Sequence, residues 1–219
     1  LEEKDINLVM LHGQVTQYQS TGAEVIPLSC LRERYIDYLA LGHIHEYVQG
    51  PLDDRGIYCY SGCLEGRGFD ECGVKGFVVL DIEEEKIHTE FVSLSRRTFH
   101  EIRVDVTPYS NFAELMEEIT NTLDPICADD LIKVCIVGEI EEGFELDLTY
   151  LEEFAKRRFY YAKVKNESEL RIDGDQYKND RTLKGEFIRK VQLLSVSEEE
   201  KNHIIQLGLR AIAGKEVTL

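Results

Sequence analysis

The hydrophobic pattern changes period along the chain. Over the first hundred residues, short apolar runs alternate with loops. Residues 6–11 (Ile-Asn-Leu-Val-Met-Leu) and 38–41 (Tyr-Leu-Ala-Leu) read as buried strands, because runs with little alternation suit strands covered on both faces. Residues 25–34 read as a polar connector or helical turn, and residues 57–60 as a weaker strand that pairs nearby. Gly76-Phe-Val-Val-Leu-Asp-Ile82 is a strong strand signal, and the acidic turn 83–85 before a strand at 86–93 predicts a hairpin. Glycines at 62, 66, 68, 73 and 76 punctuate a long irregular loop ahead of it.

Beyond Phe99 the period lengthens. Residues 102–106 alternate as a half-buried strand, and Ser110 or Asn111 can cap a helix to about Leu123 with Phe112, Leu115, Met116 and Ile119 on one face. A strand follows at 131–137. Thr149 with Glu152 makes a capping box for a helix to about Arg158, ahead of a strand at 159–164. The order strand, helix, strand, helix, strand predicts a small two-layer unit. The rest is helical: 183–194 carries apolar residues at helical spacing, and Ser197 with Glu200 opens a helix to about Ala213, stopped by Gly214. The fold class is α/β, divided as 1–98, 99–170 and 171–219.

Composition narrows the functions open to this chain. Its 219 residues are 43% hydrophobic and 31% charged, ordinary for a globular protein with a real core. No apolar stretch is long enough to cross a bilayer, so no membrane association is expected. The six cysteines contain no Cys-x-x-Cys pair and read as reduced thiols in a cytoplasmic protein. A formal charge of −17 argues against non-specific nucleic-acid binding by the bulk surface. Basic clusters are small, at Arg96 and Arg97, at 156–158, and at Lys163 and Lys165. The first residue is Leu1 rather than Met, and a strand starts almost at once, which suggests a piece of a longer protein.

Chemistry concentrates in the histidines. Leu11-His12-Gly13 and Gly42-His43-Ile44-His45 each close a predicted strand, at the end where open α/β sheets gather ligands. Imidazoles from two neighbouring strand tips can converge on one metal or on an adjacent pair. Three alone could make a mononuclear zinc site, but no general base or second shell is evident nearby. His88, His100 and His203 read as surface residues. In the glycine-rich loop, Arg67 is a candidate for contacting a phosphoester, whereas Glu71 and Lys75 read as parts of a tight connector.

Leu11-His12-Gly13, Leu39-Ala-Leu-Gly-His-Ile-His45, Tyr60-Ser-Gly62 and Lys75-Gly76 together resemble the last two motifs of calcineurin-like metallophosphoesterases, and in order and spacing the SbcD-type DNA repair nucleases. The resemblance covers about residues 1–100. It implies two divalent metal ions, usually manganese, in a four-layer sandwich of which residues 1–98 form the C-terminal half. His12 and His43 would then be ligands of one ion and His45 of the other. It further implies a capping domain at 99–170 and a helical C-terminal region that docks on an SbcC-type ATPase, with DNA as substrate and a homodimer as a further association. The family's Asp-x-His, bridging Asp and Asn-His motifs do not occur in matching form here. The catalytic residues are therefore expected before Leu1, and the chain as it stands is expected to be inactive. Two other readings stay open: a phosphodiesterase for small phosphodiesters or nucleotides, which the acidic charge favours, and a non-catalytic partner-binding module.

Overall fold

The structure is a computed structural model; it describes residues 1–16, 24–84, 86–141, 143–171, 177, 180–212 and 214. The chain divides into two compact units. The first comprises Leu1–Glu101, Cys127–Lys133 and Phe159–Tyr161, and the second Ile102–Ile126, Val134–Arg158 and Ala162–Leu219. Several sheets and four helices among the described residues make it mixed α/β, as the pattern predicts. No described helix is long and apolar enough to cross a membrane.

The first unit is built on four strands, Leu8–His12 (β1), Tyr38–Gly42 (β4), Val48–Pro51 (β5) and Ile57–Tyr60 (β6), in one sheet ordered β1-β4-β6-β5. β1, β4 and β6 run parallel, and β5 adds antiparallel at the edge. Leu39 and Leu41 of β4 lie in a core with Leu28, Ile36, Leu52 and Tyr60, and Val9 and Leu11 pack against it from β1. β4 is central and buried, as its apolar run predicts. β1 departs from that expectation: Leu8 is 49% and Met10 83% exposed. It lies at the sheet's edge, and only its alternate residues Val9 and Leu11 turn towards the core. The edge strand β5 was not evident in the sequence, because Val-Gln-Gly-Pro has neither alternation nor an apolar run.

Two short strands, Gln14–Thr16 (β2) and Val25–Pro27 (β3), pair in parallel, and a 3-10 turn at Leu28–Cys30 follows. The predicted hairpin forms from Gly76–Glu83 (β7) and Lys86–Ser93 (β8), with Tyr47 stacked on Phe91 at 4.6 Å between ring centroids. A polar knot ties the sheet's base. Asp37 accepts from the Asn7 backbone N–H at 2.8 Å and from Arg55 at 2.8 and 2.9 Å, while Arg55 also donates to the Glu3 and Asp5 carbonyls.

That knot makes a prediction about acid. Burial pushes the Asp37 carboxyl up, but Arg55 and the Asn7 N–H outweigh it and hold the group below its ordinary value of 3.8. An unfolded chain then binds more protons in acid than the folded one. The stabilisation is fully present above the ordinary carboxylate range and is lost as pH falls through the folded value. Urea midpoints measured between about pH 6 and pH 2 should therefore fall on the acid side, with a shallower fall in Asp37→Asn. An unchanged slope in Asp37→Asn would show that Asp37 contributes nothing.

A second sheet has three strands, Phe99–Asp105 (β9), Leu131–Val137 (β10) and Tyr161–Asn166 (β12), ordered β12-β10-β9. Helices Phe112–Leu123 (α1) and Leu148–Arg158 (α2) accompany it in the chain, and Leu115, Ile119, Leu123, Leu151, Ala155, Val134 and Ile136 are all fully buried. Asn111 caps α1 by accepting from the Glu114 N–H. α2 starts one residue before Thr149, and Asp147 accepts the Tyr150 N–H in place of the predicted Thr149–Glu152 box. A pair of two-residue strands, Glu139–Ile140 (β11) and Glu169–Leu170 (β13), adds a small parallel ladder. Helices Leu183–Gln192 (α3) and Glu198–Ile212 (α4) bury Ile188, Val191 and Ile205 together with Tyr177. The Ser197–Glu200 capping box forms in both directions.

Candidate functional site

The parallel register of β1 and β4 sets His12 directly opposite Gly42, so His12 and His43 leave neighbouring strands at the same level. Their rings meet edge to face with centroids 5.5 Å apart. Glycine at 42 makes room for this: a Cβ there would stand 2.8 Å from His12 Nδ1. Gly13 turns the chain just after His12 at φ +150°, where a Cβ would meet the Glu24 carbonyl at 2.6 Å. The loop after His12 is clamped by Tyr60, whose hydroxyl donates to the Gly13 carbonyl at 2.7 Å and accepts the Val15 N–H at 2.8 Å. Burial pushes the Tyr60 hydroxyl up, so it stays a donor.

His43 itself sits at φ +111°, a region that favours glycine. Holding a non-glycine residue there costs about 1–3 kcal/mol and is a feature of functional sites. Its Nδ1 lies 3.5 Å from Glu24 Oε2. Among the described residues the exposed His12 ring has no hydrogen-bond partner.

His45 takes a different environment. Its Nδ1 is 2.6 Å from Glu71 Oε1. Glu71 is held in turn by the Arg67 backbone N–H at 2.9 Å, with the Arg67 guanidinium 3.5 Å away. His45 and the Arg67 N–H hold the Glu71 carboxyl below its ordinary range, so it is an anion at neutral pH. Cys63 Sγ lies 3.6 Å from the His45 carbonyl and 4.0 Å from Glu71 Oε2. Lys75, only 3% exposed, reaches the same carbonyl with Nζ at 2.9 Å. A His45 ring nitrogen, Cys63 Sγ and a Glu71 carboxylate oxygen all lie within 4.8 Å of one another. No other group of three or more His, Cys, Asp or Glu side chains comes that close among the described residues, so His12, His43 and His45 do not converge on one point.

The arrangement is two imidazoles meeting edge to face and a third imidazole beside a carboxylate and a thiol. The chemistry suits cations that accept nitrogen donors: His12 and His43 can present ring nitrogens to one ion, and His45, with Nδ1 engaged by Glu71, keeps Nε2 for another. Arg67, the predicted phosphoester contact, is exposed and leans on Glu71. A scan against protein-family models and a search of curated proteins both return no match.

Sequence reasoning missed the partners of the histidines. Glu24 and Glu71 supply the carboxylates that seemed absent, and Lys75 is buried against the His45 loop rather than being a plain connector residue. A lysine directly before an apolar strand was the available signal for Lys75. His100 is also not a plain surface residue, since its Nε2 pairs with Asp130 at 2.9 Å.

Proposed function

We propose that this chain carries part of a metal-dependent phosphodiesterase centre of the calcineurin-like type, acting on DNA as an SbcD-type repair exonuclease. The observation that supports it is the pairing of His12 and His43 at adjacent parallel strand tips, with His43 held at φ +111°. A backbone conformation this unfavourable is kept where the position of the side chain matters more than local stability. In this reading His12 and His43 hold one divalent cation and His45 a second, manganese being the family's usual ion. Bound cations of this kind generate a hydroxide nucleophile and neutralise charge on phosphorus. The chain's own residues orient the donors: Tyr60 fixes the loop after His12 and Glu71 fixes the His45 ring, while the exposed Arg67 beside Glu71 would be the group to meet a phosphoester. The first unit would then belong to the family's four-layer sandwich. The apolar residues left exposed around α3 and α4, Leu183, Leu193 and Leu194 among them, would face an SbcC-type ATPase or a second copy of the chain.

A second reading, hydrolysis of small phosphodiesters, is favoured by one feature of the surface. The basic cluster at 156–158 is neutralised by acids, with Lys156 paired to Glu152, Arg157 to Glu153 and Arg158 to Asp124. The test assays the protein, together with any residues encoded before Leu1, with manganese on linear duplex DNA and on an aryl phosphodiester. Cleavage of DNA is the expected result. Activity on the aryl ester alone, with or without an ATPase partner, selects the second reading, and activity on neither removes both.

A further inference from the structure

We propose that His45, Cys63 and Glu71 form a site for a single thiolate-preferring divalent cation, zinc above all, separate from the His12–His43 pair. The proposal goes beyond the phosphodiesterase reading and stands without it. Three donors of three chemical kinds come from two loops: His45 from the turn after β4, and Cys63 and Glu71 from the two ends of the glycine-rich loop between β6 and β7. A nitrogen, a thiol sulfur and a carboxylate oxygen are the ligand set zinc takes, and manganese has little use for the sulfur. The donors need only a small adjustment. They already lie within 4.8 Å of one another, and the edge of a zinc tetrahedron built from ordinary Zn–N and Zn–S bonds is about 3.5 Å.

Charge and access both fit. The Glu71 carboxylate already stands between the other two donors, Oε1 2.6 Å from His45 Nδ1 and Oε2 4.0 Å from Cys63 Sγ. Lys75 Nζ and Cys63 Sγ approach the same His45 carbonyl, so an ammonium stands near the sulfur where a thiolate forms. That ammonium opposes a bare cation, but thiolate and carboxylate together leave the group net negative. The His45 side chain is 47% exposed, which leaves an entry path and room for water as the fourth ligand.

Zinc takes lone pairs from His45 Nδ1, Cys63 Sγ and a Glu71 oxygen, and the thiol proton leaves to solvent. The neutral imidazole moves its one proton from Nδ1 to Nε2. A neutral imidazole offers one lone pair, so zinc on Nδ1 withdraws Nε2 from any other cation.

The experiment titrates the reduced chain with cobalt(II), a spectroscopic substitute for zinc, and reads the near-ultraviolet sulfur-to-metal charge-transfer band. One equivalent should saturate the band, and zinc should displace it. Cys63→Ser should lose the band, Cys30→Ser and Cys127→Ser should keep it, and Glu71→Gln should weaken binding by about tenfold or more. If Cys63→Ser does not fold, proton release on adding zinc to the unaltered chain in weak buffer decides, about one proton per ion being expected. No band, a band that survives Cys63→Ser, or zinc binding without proton release would overturn the proposal. Cobalt bound through imidazoles alone gives no thiolate band and counts against it as well.

Discussion

His43→Gly is expected to hold or raise the stability of the chain while destroying cation binding at the His12–His43 pair. The reason is the φ of +111° at His43, which a side chain adopts at a cost of about 1–3 kcal/mol. Glycine removes that strain and gives back about 0.5–1 kcal/mol through its freer unfolded chain, so the net gain should be about 1 kcal/mol. His43→Ala keeps the strain and loses only the ring, so its thermal stability should stay close to that of the parent. Both substitutions remove the imidazole. On the proposed phosphodiesterase reading, manganese affinity should drop by at least about tenfold in both, and any phosphodiester turnover should vanish. Thermal melts and calorimetric manganese titrations read the two quantities separately. A glycine variant that melts earlier with manganese binding intact would make His43 a structural residue.

Leu39→Ala should destabilise the chain by about 3–5 kcal/mol. Leu39 is fully buried in the central strand, where β1 and β6 flank it and Leu28, Ile36, Leu41, Leu52 and Tyr60 share its core. Truncation there leaves a cavity in a parallel sheet paired on both sides, with little scope for collapse. Domains of this size are stable by only about 5–15 kcal/mol, so the loss takes a large share of the total. Met10, two residues from the end of β1 and 83% exposed, is the control: Met10→Ala should change stability by less than about 0.5 kcal/mol. Denaturant midpoints with unchanged slopes measure both. Equal losses at the two positions would contradict the packing described for this sheet.

Much of the architecture could be read from local pattern. β4, the β7–β8 hairpin, β10, α1 and α3 lie where periodicity puts them, because each carries its own signal: an apolar run, an acidic turn, or a capping side chain. The Ser197–Glu200 box likewise needs only residues three apart. β5 escaped because an edge strand is specified by its partner β6 rather than by its own residues. The cap of α2 went to Asp147 because Ser, Thr and Asp compete for the same N–H groups, and only backbone geometry decides among them.

The histidine strand tips were written in the sequence, since a glycine-flanked imidazole after an apolar run marks a strand end wherever it occurs. What surrounds those imidazoles was not. Register set His12 against Gly42, and chain reversal brought Glu71 to His45 across 26 residues and Lys75 to the same loop across 30. Such contacts join loops that have no periodicity of their own, so only the folded chain settles which carboxylate meets which ring. Local sequence determined which residues bear the chemistry and where strands and helices run; tertiary structure alone decided that His43 is strained, that His45 stands apart with Glu71 and Cys63, and that β1 turns Met10 outward. The physical reason is range: propensity and capping act over a few residues, whereas register and side-chain partnership are consequences of closing long loops around a shared core.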